Sequence, residues 1–188
     1  PSATVTRSGP VSYTVTYTDT NFNSSTLATG SITLNKTGTA NGTLGISGSG
    51  NTRTVTISSI TGDGTLGITI AAGTATDLAG NSAPAAGPAT PFTTDNTPAT
   101  VTGVTSSTLD GQYKAGAAIN VTVNFSEAVS SSGLTINLNS GAAITTGALN
   151  SVTSYSGTYT VAASQTAADL SISAITGTIS ATAANATV

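Results

Sequence analysis

The 188-residue chain sets four Lys and Arg against seven Asp and Glu, for a net charge of −3, and it has no Cys, His, Met or Trp. That excludes a thiol or imidazole nucleophile or base, a soft-metal site, a disulfide framework and a basic surface for nucleic acid. Charged residues are only 6 % of the chain, against about 25 % in an ordinary soluble domain. The apolar residues nonetheless recur in alternating runs that can each bury one face, so the chain is not a solvated tract. Its 40 Thr and 25 Ser supply hydration through hydroxyls, and Thr suits the exposed face of a pleated sheet. No run of 18 apolar residues is present to span a membrane. No export leader opens the chain at Pro1, so such a signal is expected to be missing from this sequence or already removed.

Strand signals dominate in chain order. Val11, Tyr13, Val15 and Tyr17 alternate with Ser12, Thr14, Thr16 and Thr18, which predicts a strand over 11–18 with four apolar side chains on one face. Ile32 and Leu34 repeat the rhythm, as do Val55 and Ile57, then Leu66, Ile68 and Ile70. In the second half Ile119, Val121, Val123 and Phe125 form one face, followed by Leu134, Ile136 and Leu138, by Tyr159 and Val161, and by Leu170 and Ile172. Two short Ala-rich patches, Ala162 to Asp169 and Ala181 to Ala186, read as turns or loops rather than helices. The fold class is all-β, built as sandwiches of short antiparallel strands.

Three prolines between Ala83 and Pro91 and the stretch Thr93-Thr94-Asp95-Asn96-Thr97-Pro98 mark a boundary. Pro98 biases Thr97 toward extended geometry, so the connection is stiff. Two domains are predicted, 1–96 and 97–188, each the size of one immunoglobulin-like β-sandwich. A shift of 108 residues places Tyr17 on Phe125 and Asp19 on Glu127. A shift of 104 places the segment Thr74 to Asn81 on Thr178 to Asn185, with Asp77 and Gly80 becoming Ala181 and Ala184. The halves read as distant relatives.

Gly73-Thr-Ala-Thr-Asp-Leu-Ala-Gly-Asn81 and Asp95-Asn-Thr-Pro98 in the first half, with Tyr113-Lys-Ala-Gly116 and Ile119 to Val129 in the second, resemble bacterial immunoglobulin-like tandem repeats of large secreted adhesins and surface proteins. The resemblance implies Greek-key sandwiches in tandem at the bacterial cell surface. The second half is expected to lack its last strand, because only three residues follow Asn185 whereas Asp95 lies fourteen positions beyond Asn81. Either the sequence is cut from a longer array, or a neighbouring molecule supplies the strand.

Loops in such a topology alternate between two poles, which allows the acids to be placed. Asp19, Asp77 and Asn81 fall at the pole where the first domain's N-terminus enters. Asp63, in the turn Thr61-Gly62-Asp63-Gly64, falls at the opposite pole beside Asp95 and Asn96. Glu127 is expected to face the same linker from the second domain, with Asp110 and Asp169 at that domain's far pole. Asp63, Asp95, Asn96 and Glu127 therefore form a candidate Ca²⁺ site at the junction, and Asp19, Asp77 and Asn81 a second one. The competing expectation is that these are ordinary turn residues whose side chains bond their own backbone.

Lesser signals carry less. Six Asn-x-Ser/Thr sequons, at Asn23, Asn35, Asn41, Asn120, Asn124 and Asn185, arise readily by chance in a chain so rich in Ser and Thr. Lys36 and Lys114 read as solvated lysines rather than isopeptide donors. Tyr13 and Tyr17 read as core. Glycoside hydrolysis would need two placed carboxylates and a cleft, and the acids here are expected in loops, so no enzyme is predicted. The expected role is that of a non-catalytic structural or adhesive spacer. Its partners would be neighbouring repeats or subunits, and a host or surface ligand reached through other domains, with neither nucleic acid nor membrane insertion. The alternatives are an extracellular filament or surface-layer subunit completed by strand donation, and a carbohydrate- or receptor-binding module that would need an exposed aromatic patch.

Overall fold

A computed structural model describes residues 1–181. Asn185, Ala184 and most of the Ala181 to Ala186 patch lie outside the described residues. Contacts divide the chain into two units, Pro1–Thr97 and a second beginning at Pro98. Both are all-β, and among the described residues there is no α-helix; one 3₁₀ turn occurs at Thr29–Ser31.

The first unit contains β1 (Val5–Thr6), β2 (Val11–Thr16), β3 (Phe22–Ser25), β4 (Ile32–Lys36), β5 (Asn41–Ser49), β6 (Thr52–Thr61), β7 (Gly64–Ile70), β8 (Ala75–Asp77) and β9 (Phe92–Thr94). One sheet has the order β1-β9-β7-β4, a second β2-β6-β5, and β3 pairs with β8. Period-2 alternation puts Val11 and Tyr13 of β2 and Val55 and Ile57 of β6 inside, where they meet Leu66, Ile68 and Ile70 of β7 and Phe92 of β9 in one core. Two sheets sharing one core are compatible with a β-sandwich. Phe92 is 1 % exposed and packs 6.5 Å, ring centre to ring centre, from Tyr13. The Tyr13 hydroxyl donates to Thr90 O at 3.0 Å, which satisfies the one polar atom this ring brings into the core.

The predicted strand over 11–18 ends earlier, at Thr16. Just past it, Tyr17 still donates its N–H to Asn51 O at 2.9 Å; the ring is half-buried, stacks on Phe22 at 6.0 Å and donates its hydroxyl to Thr74 Oγ1 at 2.9 Å.

The second unit contains β10 (Val101–Thr105), β11 (Ala118–Ser131), β12 (Thr135–Leu138), β13 (Ala143–Thr145), β14 (Leu149–Thr160), β15 (Ile172–Thr176) and β16 (Ser180–Ala181). One sheet is β10-β11-β14, with β16 also on β11, and the other is β13-β12-β15. Val121, Val123 and Phe125 of β11 share a core with Ile136 and Leu138 of β12 and with Tyr159 of β14. β11 runs on past the alternating stretch to Ser131, so Glu127 lies within a strand rather than in a loop. It sits where the β11–β14 register shifts between Asn124 and Val129.

Candidate functional site

The tight turn between β6 and β7 sets the first cluster of acids. Gly62 and Gly64 hold φ of +72° and +143°, and a Cβ at Gly62 would run into the Thr39 carbonyl, so only glycine fits there. Asp63 between them is anchored by its backbone. Its N–H donates to Thr39 Oγ1 at 2.9 Å, and its carbonyl accepts from Thr39 N at 2.8 Å. The carboxylate is left facing the chain that follows β9. Asn96 N–H donates to Asp63 Oδ1, and the Thr97 hydroxyl donates to Oδ2 at 2.5 Å. Asn96 also donates its side-chain amide to Gly62 O at 2.9 Å. Asp95 Oδ1 accepts from Thr97 N at 3.1 Å, a local Asx turn.

These donors favour the ionised form. The Thr97 hydroxyl first, then the Asn96 N–H, holds the Asp63 carboxyl below the usual carboxylate range. The structure thus groups Asp63 with Asn96 in the first unit and adds Thr97, which the sequence did not single out. Nothing local marks that hydroxyl: it stands 34 residues from its acceptor. Glu127 belongs to β11 of the second unit.

The second cluster forms around a cleft of about 330 Å³ in the first unit. Asp19, Asp77 and Asn81 line it with Tyr17, Phe22 and Thr74. β3 and β8 place Phe22 opposite Asp77 in register. Asp77 Oδ1 accepts from Asn81 N at 2.8 Å, and Oδ2 accepts from Asn81 Nδ2 at 2.8 Å. The Asn81 side-chain amide, then its backbone N–H, lowers the Asp77 pKa. Asp19 Oδ1 accepts from Asn21 N at 2.7 Å.

Both clusters are therefore built as hydrogen-bonded turns, in which N–H and O–H groups offset the negative charge. Ca²⁺ takes six to eight oxygens, and Asp63 and Asp77 have both carboxylate oxygens engaged by donors. Among the described residues, no three His, Cys, Asp or Glu side chains lie close enough to share a metal ion. An ionised carboxylate has about four acceptor sites, so these bonds leave capacity on Asp63 and Asp77.

No protein-family model matches this chain, and no curated protein matches it.

Proposed function

We propose that the chain is a non-catalytic spacer, made of tandem immunoglobulin-like Greek-key sandwiches from a bacterial extracellular surface protein, whose work is to set distance and bear tension. The observation that carries this reading is the parallel pairing of the first and last strands of the first unit, Val5 with Thr93 and Thr6 with Thr94. Thr93 N–H donates to Thr4 O at 2.8 Å, and Asp95 N–H donates to Thr6 O at 3.2 Å. Tension on the two ends of the unit pulls parallel terminal strands in opposite directions along one axis. The ladder bonds then carry the load together, in shear. Antiparallel end strands would instead open one bond at a time.

Strand order supports the immunoglobulin-like part of the reading. The sheets β1-β9-β7-β4 and β2-β6-β5 correspond to strands A, G, F and C against B, E and D of a seven-strand sandwich. In the second unit, β11-β14 and β12-β15 repeat the B-E and C-F neighbours, while β10 pairs with β11 rather than with a last strand. The absence of Cys and His and the engagement of Asp63 and Asp77 in turns support a role without catalysis. Stretching the whole chain from its two ends tests the proposal: resistance localised to the β1–β9 pairing supports it, and free extension refutes it.

A second reading, assembly by strand donation, is favoured by β15. In the first unit β7 is flanked by β4 and β9, whereas among the described residues β15 pairs with β12 alone. An open sheet edge is a template for another chain. Sedimentation over a range of concentrations separates the readings, with monomers supporting the spacer and growing oligomers supporting assembly.

A further inference from the structure

The second unit holds a cleft of about 660 Å³ between the loop that leads into β11 and the loop that follows β14. A site for a drug-sized or sugar-sized molecule has this volume. Leu109 and Tyr113 stand on its rim, 84 % and 41 % exposed. Exposed apolar groups of that size stand out in a chain with only eight aromatic residues. Tyr113 is not a loose side chain: its hydroxyl donates to Leu109 O, which fixes the ring and leaves a face free.

The rest of the lining is polar and preset. Asp110 and Asp169 both face the cleft from exposed positions. The Asp169 backbone is pinned, because Asn139 Nδ2 donates to its carbonyl at 2.7 Å. Gln165 Oε1 accepts from the Tyr159 hydroxyl at 2.9 Å and from Ala162 N at 2.9 Å, so its amide is oriented before any ligand arrives.

From these groups we infer that the cleft binds a neutral saccharide. A pyranose offers a C–H face to a fixed aromatic ring and a rim of hydroxyls that both donate and accept. Tyr113 supplies the ring. Asp110 and Asp169 accept from hydroxyls as charge-assisted partners, and the Gln165 amide meets a further hydroxyl. The two carboxylates exclude acidic sugars. A lone ammonium group is too small for this volume and would leave the Gln165 amide unused. This site is independent of the spacer reading, since a tension-bearing unit works with or without a ligand on its loops.

The test uses the whole 188-residue chain. A glycan array is read first, followed by amide chemical-shift titration with methyl glycosides of glucose, galactose and N-acetylglucosamine and with Nα-acetyl-lysine methylamide as the cationic control. The expected result is array binding to neutral glycans and saturable shifts at residues 109–113 and 165–170 with at least one glycoside. Tyr113→Ala weakens that binding about tenfold, the worth of one aromatic contact. Tyr113→Phe retains most of it, and Asp169→Asn weakens it without unfolding the unit. No array binding to neutral glycans, a response only to the lysine derivative, or equal affinity in Tyr113→Ala overturns the assignment.

Discussion

Thr97 donates its hydroxyl to Asp63 Oδ2 at 2.5 Å, one of the side-chain hydrogen bonds that join the β6–β7 turn to the residues that follow β9. Asn96 N–H on Oδ1 completes the pair. One carboxylate therefore orders the end of the first unit. Asp63→Ala removes both acceptors, and hydrogen exchange at the Asn96 amide is expected to speed up while the β6 and β7 amides keep their protection. Unchanged exchange at Asn96 would show that the carboxylate does not order this segment.

The same donors dictate a pH dependence. Asp63 and Asp77 have folded-state pKa values lowered by their hydrogen bonds, so the unfolded chain binds protons more readily. Their stabilisation is complete above the unfolded carboxylate pKa of about 4 and is lost as pH falls through the lower folded values. Urea midpoints measured from pH 7 down to pH 2 are expected to fall below about pH 4. The fall is shallower in the Asp63→Asn, Asp77→Asn double variant. An identical slope in that variant would assign the acid sensitivity to other groups.

Core substitutions separate packing from hydrogen bonding. Phe92, 1 % exposed, joins β9 to the core, and Phe92→Ala is expected to cost about 3–5 kcal/mol in transfer and cavity terms. Tyr13→Phe keeps the ring packing and loses only the hydroxyl's bonds to Thr90 O and, at 3.4 Å, Leu66 O, for about 1 kcal/mol. Chemical denaturation of the two variants gives the comparison. A Tyr13→Phe cost equal to that of Phe92→Ala would contradict the assignment of roles.

The Ca²⁺ expectation is tested by melting the first unit in EDTA and in calcium: with both carboxylate oxygens of Asp63 and of Asp77 already accepting hydrogen bonds, the difference is expected to be small. A calcium-dependent rise would mean that a cation binds the folded unit. Asp77→Asn and Asp63→Asn would then identify which cluster it occupies.

Much of the fold is legible because burial enforces a period of two. Val121, Val123 and Phe125 are buried and their neighbours are less so, as the alternation predicts. β5 escapes notice because three glycines interrupt it and its Leu44 and Ile46 are only partly buried; its backbone ladder to β6 holds it. The first half of β14 sets only Leu149 and Val152 among Asn, Ser and Thr, three residues apart, and so shows no apolar stripe of period two. At the candidate sites, the Asp77–Asn81 turn is readable because both partners lie four residues apart. The Asp63–Thr97 bond is not, since only the fold brings those residues together. Glu127 reads as the end of a strand because alternation stops near it, yet β11 continues as a bulged ladder.

Single-molecule stretching of the full chain from its two termini tests the tension-bearing role most directly. The first unit is expected to yield in one cooperative event that releases roughly 300 Å of chain, given about 3.3–3.6 Å per extended residue. Thr93→Pro, which deletes the N–H donated to Thr4 O, lowers the force of that event without removing it. Equal forces for both proteins, or gradual extension without a discrete event, would contradict the proposal that shear between β1 and β9 is what the unit is built to resist.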